Sequence, residues 1–448
     1  MTTPILTEAG APAAAFTLPP AYALTAAQSD PNLLGWMQGH PPPIDKRVQQ
    51  SDGSFFTFPK TRWAFSNTRE IVPTSNIPRG TGAVSTLPTA LRDDLDDVAC
   101  TVLGSSPDAK RMTWDEAFDA NYTDGIVVLH KGQVVYERYA GALTPNKQHW
   151  AFSVTKSFVG TLGAMRVFDD SLDANKLIPH YIPELKDSAF GSATVRQVMD
   201  MTTNLQYLEN YADPKAEIWE HSRAGGLLPK PIDYTGEPSF YDYLPRVKLG
   251  AEYDGQHGQG FRYKTVNTDV LGWILRRIAG EGKGEPKGER LGEQLSKQIW
   301  SRLGCEQDAY ITVDSAGTEF AGGGLHTSLR DLARFGEMMR QGGFYNGQQI
   351  VPEAVVAGIC QGAGIAHFAS AGYNLLPGWS YQSMWWITHN EHGAYMARGI
   401  HGQAIYIDPK AEMVIARYGS HPLAANAHLD PTSLPAYHAL AKHLIANG

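Results

Sequence analysis

β-Branched and aromatic residues fill positions 126–130 and again 133–139, with only Lys131-Gly132 between them, which predicts a β-hairpin. The period then changes. Phe158, Val159, Leu162, Met165 and Val167 recur at helical spacing, so a helix is predicted to start near residue 153. A short helix over 193–199 follows, entered from a Ser/Thr cap. Residues 206–262 are loop-rich, with many aromatics and the glycines of 255–260, and long loops of this kind tend to line a site. Helical patterns return at 268–278, 291–303 and 325–340, the last entered from Gly322-Gly323-Gly324. Strands are predicted at 381–388, 395–399, 404–408 and 413–418, and a closing helix at 434–445. A further helix is expected between residues 87 and 103.

This order places strands at both ends of the body and helices between them. The fold class expected is α/β (α+β), an antiparallel sheet flanked by helices, with a helical and loop-rich insertion lobe beside it. Residues 91–155 and 320–448 would form the α/β lobe, 156–319 the helical lobe, and the cleft between them the site. Residues 1–90 read differently, being rich in Pro, Ala, Thr and Ser, with Pro41-Pro42-Pro43 in a row. They are expected to wrap the 91–448 domain in extended form, docked through Trp36, Phe55, Phe56, Phe58, Trp63 and Phe65.

Composition narrows the function classes. The 448 residues are 42% hydrophobic and 19% charged, and the net charge is −8, which leaves no basic footprint for nucleic acid or an anionic membrane. Three widely spaced cysteines, Cys100, Cys305 and Cys360, suggest neither a disulfide framework nor a thiolate metal site. The first 16 residues lack a basic n-region and a sustained apolar core, and no run is long enough to span a membrane. A cytoplasmic protein is the default expectation. His389, His392, His401 and His421 are not at His-Glu-x-x-His spacing, so no metal is expected, and no other cofactor. The 280–288 stretch is rich in Gly and Lys but lacks Gly-Lys-Ser/Thr, and it reads as a surface loop.

The chemistry concentrates in Ser153-Val154-Thr155-Lys156. A hydroxyl and an amine spaced i, i+3 share one helix face, so the amine can reach the oxygen. A serine hydroxyl is a weak nucleophile until a base is beside it, and a lysine serves when burial or nearby cations favour its neutral form. The competing reading is a helix start, with Ser153 as N-cap and Lys156 in solvent.

Two more stretches give the tetrapeptide a context. The Gly260–Gly272 stretch contains Tyr263-Lys264-Thr265, and 398–403 reads Arg-Gly-Ile-His-Gly-Gln. With Ser153-x-x-Lys156 they resemble the serine β-lactamase and penicillin-binding-protein superfamily over roughly residues 120–445. Within it, Asn210-Tyr211-Ala212-Asp213-Pro214, Asn267-Thr268-Asp269-Val270-Leu271 and Gly399-Ile400-His401-Gly402-Gln403 are similar to the 6-aminohexanoate-dimer hydrolases and their esterase relatives. The resemblance implies Ser153 as nucleophile, Lys156 as base, Tyr263 as a proton-shuttling bridge, and the Ser153 and Ile400 N–H groups as oxyanion donors. It also implies substrate contacts at Tyr211, Ser222, Gly322 and Asn267.

Departures from the family pattern change the expected substrate. Thr265 stands where β-lactamases have the asparagine of Tyr-x-Asn, and Ala397 and Arg398 replace the Lys-Thr of Lys-Thr-Gly, so antibiotic hydrolysis is not expected. Ser222 lies where efficient dimer hydrolases are expected to carry an aspartate for the substrate amine, and Gly322 replaces a polar residue. A serine hydrolase for short linear amides or esters is the leading reading. A carboxylesterase or D-aminopeptidase-type enzyme is the second, and a non-catalytic ligand-binding relative the third. A Ser-His-Asp triad through His401 is disfavoured, because no serine sits in a Gly-x-Ser-x-Gly turn. A homodimer remains an assembly to test.

Overall fold

The computed structural model describes residues 24–106, 108–280 and 289–448. Residues 1–16 and 281–288, read above for a leader and a surface loop, lie outside them. A seven-stranded sheet forms the centre, and every neighbouring pair in it is antiparallel. Its order is Ser380–Gln382, Trp385–Ile387, Tyr395–Gly399, Gln403–Asp408, Met413–Gly419, Thr123–His130 and Gln133–Tyr139. The hairpin and the C-terminal strands, far apart in sequence, therefore meet through Met413–Gly419 pairing with Thr123–His130. This is the α/β architecture that the element order predicts.

Both faces of that sheet are covered. The helix Leu329–Arg340 packs one face closely because Gly336 has no side chain: a Cβ there would stand 2.6 Å from Val414 and 2.8 Å from Ile405. On the other face Tyr406 meets Tyr437 of the terminal helix Asp430–Asn447, ring centroids 5.4 Å apart. The helix Val154–Phe168 crosses beside the sheet and is buried without a break from Val154 to Gly163.

Four expectations need correction. Residues 87–103 form no α-helix. They contain a 3-10 turn at Asp93–Leu95 and a strand at Ala99–Cys100. The unpaired edge of the hairpin explains this, because Val134 N–H donates to Pro88 O at 2.7 Å and the Ala90 and Arg92 amides donate to Val134 and Val135. The 325–340 pattern starts as a strand, Leu325–Thr327, and becomes helix only after the Ser328 cap, whose hydroxyl accepts from Asp331 N–H. The 381–388 run is two strands joined at Ser383 and Met384, both at positive φ. Neither residue type announces such a turn. It is held from outside, by Ser157 Oγ donating to Met384 O and Ser383 N–H donating to Asp200. Finally, a second sheet went unpredicted, in the order Thr74–Ile77, Ala309–Thr312, Leu325–Thr327 and His149–Trp150.

Residues 24–90 lie against this body and contribute Thr74–Ile77 to the second sheet. Arg62 anchors them. Its Nη1 lies 3.1 Å from Asp124 Oδ1 and donates to Tyr122 O, and His149 stands 3.2 Å from the other carboxylate oxygen. Both partners of the Arg62–Asp124 pair are 2% exposed. Burial pushes the Asp124 pKa up, but Arg62 and then His149 outweigh it, and the net shift is downward. A carboxyl held below its ordinary value contributes stability above pH ~4, and this is lost as pH falls through the folded value. Arg62→Met leaves Asp124 buried with its charge uncompensated, which costs about 3–5 kcal/mol. Urea denaturation at pH 7 should show that loss, and the gap between the two proteins should narrow in acid; equal midpoints at pH 7 contradict the anchoring role.

Candidate active site

Ser153 precedes the first residue of the Val154–Phe168 helix, yet its hydroxyl makes no capping bond. It accepts instead from Lys156 Nζ at 2.8 Å. Lys156 is 1% exposed and also donates to Gly322 O at 2.5 Å. The capped-helix alternative is thereby removed, because the serine oxygen is turned toward the amine and the amine is away from water.

Reaching this geometry requires an unusual backbone. Phe152 has φ +44°, a region that costs a residue with a bulky side chain on the order of 1–3 kcal/mol. Aromatic packing offsets it. Phe152 stacks on Trp150 at 4.4 Å and meets Phe65 at 4.8 Å, edge to face, with Phe56 at 6.2 Å. Such pairs contribute about 0.5–1.5 kcal/mol each. Two of those three rings come from the N-terminal segment, so this segment supports the turn that presents Ser153. Trp150 N–H donates to Phe65 O at 2.8 Å and Ala151 N–H to Leu325 O at 2.9 Å, which fixes the strand on either side.

Tyr263 arrives from just before the helix Val266–Ile278. Lys156 Nζ lies 5.0 Å from the centre of its ring, within cation–π range. The ring is backed by Trp386 at 5.5 Å and Tyr381 at 6.2 Å. The end of the Tyr395–Gly399 strand closes the group. A Cβ on Gly399 would come within 2.7 Å of Ala151 O and 3.1 Å of Ser153 N, so only glycine lets the strand come this near to the serine amide.

The remaining expected residues have different surroundings. Tyr211 donates its hydroxyl to Glu209 at 2.8 Å, and the same carboxylate accepts from Thr265 N–H and Oγ1. Ser222 Oγ donates to Ile218 O, within its own helix Glu217–Ala224. Gly322 contributes its carbonyl, and a Cβ there would stand 2.4 Å from Thr265 Cγ2. Asn267 is fully buried, accepts from Thr203 Oγ1 at 2.8 Å and contacts Met201 Sδ, so it joins two chain segments. His401 Nδ1–H donates to His421 O, 2.6 Å away, and burial pushes its pKa down to about 4. That ring is committed to the main chain. Arg398 is occupied by Asp430 and lies over Trp386 and Trp379, which accounts for its presence where the β-lactam pattern differs.

One layer behind the lysine went unread in the sequence. Gly322 N–H donates to Asp269 Oδ1 at 2.9 Å, Asp269 Oδ2 faces His221 Nε2 at 3.1 Å, and His221 Nδ1 is 3.0 Å from the Tyr207 hydroxyl. All are buried. This chain holds the amide of Gly322, the residue whose own carbonyl, one peptide on, accepts from Lys156. The available signal was Asp269 itself, an acid on the apolar side of an amphipathic helix.

Comparisons with known proteins place the chain in a family. The β-lactamase family pattern matches residues 120–426. The chain belongs to the β-lactamase family. It is a hydrolase of that fold. It is 32% identical over 366 residues to a 6-aminohexanoate-dimer hydrolase of Paenarthrobacter ureafaciens, covering 81% of this chain and 86% of that one. A solved structure from Bacillus anthracis, assigned to the 6-aminohexanoate-dimer hydrolases, superposes with a TM-score of 0.78 at 32% identity, covering 90% of this chain and 99% of that one. A family VIII carboxylesterase shares the fold, with a TM-score of 0.51 at 13% identity, covering 79% and 99%.

The Gly322 contact gives a test. Gly322→Ala must push the loop off Thr265 and displace the carbonyl that holds Lys156. Misplacement of about 1 Å costs roughly 10²-fold in turnover. Adding Thr265→Ser removes the clashing methyl but keeps the hydroxyl for Glu209, so the double variant should recover most of the loss. Full activity in Gly322→Ala, measured by ester hydrolysis, contradicts the assignment.

Proposed function

We propose that the protein hydrolyses short linear amides or esters through an acyl-enzyme on Ser153. The observation that carries this reading is the 2.8 Å contact from buried Lys156 to a serine hydroxyl that is not used as a helix cap. Ser153 Oγ attacks the substrate carbonyl carbon and its proton passes to the Lys156–Tyr263 pair. The pair returns the proton to the departing amine or alcohol. Water then attacks the acyl carbonyl, gives its proton to the same pair, and the acid leaves as Ser153 is re-formed. The negative charge on the carbonyl oxygen is taken by the Ser153 and Ile400 N–H groups, set in place before the reaction. Tyr211 lines the acyl or leaving-group side. No cofactor enters any step.

Ester substrates are the second reading, and Ser222 favours it. Its hydroxyl is bonded to Ile218 O and carries no charge, so an amine-terminated substrate finds no carboxylate at that position. Three free cysteines accord with a cytoplasmic location, and no helix among the described residues is long and apolar enough to cross a membrane.

Steady-state rates on p-nitrophenyl butyrate and on 6-aminohexanoate dimer test both readings. Ser153→Ala should lose all turnover above background, and Tyr263→Phe should lose roughly 10²–10⁴-fold in kcat. Full activity in either variant overturns the mechanism. Ser222→Asp should raise the amide-to-ester ratio on amine-terminated substrates; an unchanged or lower ratio rejects the role given to that helix.

A further inference from the structure

The Tyr395–Gly399 strand has a second end, roughly 13 Å from Gly399 at the usual rise per residue. The turn before it carries Glu391 and His392, and the helix Asp430–Asn447 brings His438 beside them. The ligand-capable atoms of these three residues all lie within 4.8 Å of one another. Neighbours in sequence meet a partner 46 residues away, which is why motif spacing gave no sign of the cluster.

The Glu391–His438 pair already stands at ligand spacing. His438 Nε2 is 3.2 Å from Glu391 Oε1. Two ligands of a tetrahedral zinc ion, each about 2.0 Å from it, stand about 3.3 Å apart. His392 Nδ1 is 2.7 Å from Asp408 Oδ2, and both residues are buried. This bond fixes the imidazole and leaves Nε2 as the outward nitrogen, the carboxylate-to-histidine support that orients ligands in metal sites. The two imidazole rings are 4.8 Å apart. His438 Nδ1 is buried with no hydrogen-bond partner, so its ring is not committed elsewhere on that side. Glu391 is exposed and gives an entry path, with Lys442 Nζ at 3.8 Å as the cation an incoming ion must displace.

We propose that Glu391, His392 and His438 bind one divalent transition-metal ion, Zn²⁺ by the chemistry of the donor set, with a fourth position open to water. The ion ties the turn before Tyr395–Gly399 to the terminal helix. Its role is structural, because the strand separates it from Ser153, and the proposal stands independently of the hydrolytic reading.

Full-length protein stripped with chelator is titrated with Zn²⁺ by calorimetry and with Co²⁺ by absorption. One equivalent of Zn²⁺ should bind, Co²⁺ should give the intense visible bands of a tetrahedral site, and the melting temperature should rise by about 3 °C at a hundredfold excess over Kd. Glu391→Gln alters an exposed group, and His438→Ala removes an imidazole. Each should weaken binding by about a hundredfold or more, while ester turnover stays at the wild-type value. No saturable binding to the wild type, or wild-type affinity in both variants, overturns the site.

Discussion

Lys156 keeps its side-chain nitrogen 2.8 Å from the Ser153 hydroxyl while almost wholly shielded from water, and such an arrangement has to be supported from outside its own helix. A polar group without water needs partners in fixed positions. The Gly322 carbonyl is one, the serine oxygen a second, and the Tyr263 ring face adds a third attraction. Because the Gly322 amide is in turn held by Asp269, and Asp269 faces His221, the placement of one amine depends on a buried polar chain reaching the helix Glu217–Ala224. A change anywhere along it is felt at the Lys156–Ser153 contact.

The serine itself depends on a different support. Phe152 is placed in a disfavoured backbone region by the turn that presents Ser153, and the rings that hold it include Phe56 and Phe65. The same segment is pinned to the central sheet through Arg62 and Asp124. Residues 24–90 thus pack against the strained turn from one side while the Gly399 strand closes it from the other.

Much of this was legible in advance, for physical reasons that differ by element. The hairpin and the C-terminal strands were readable because residues such as Val127, Val128, Ile405 and Ile415 carry their own preference for a buried strand. Ser153 and Lys156 were readable because i, i+3 spacing fixes their relative position once the helix forms. Elements set by contacts with distant residues were not. The turn at Ser383 and Met384 exists because Ser157 and Asp200 bind it, the 87–92 segment is extended because a strand edge needed a partner, and His149–Trp150 is a strand only beside Leu325–Thr327. The bond from Thr203 to Asn267 likewise joins residues far apart in sequence, and spacing gave no sign of it.

Reaction of the protein with a fluorophosphonate, followed by intact-mass and peptide-map spectrometry, tests the central claim most directly. A buried amine that activates one hydroxyl should give a single phosphonyl adduct per chain, on the peptide containing Ser153. No adduct, or one on another residue with Ser153 unmodified, would contradict the account.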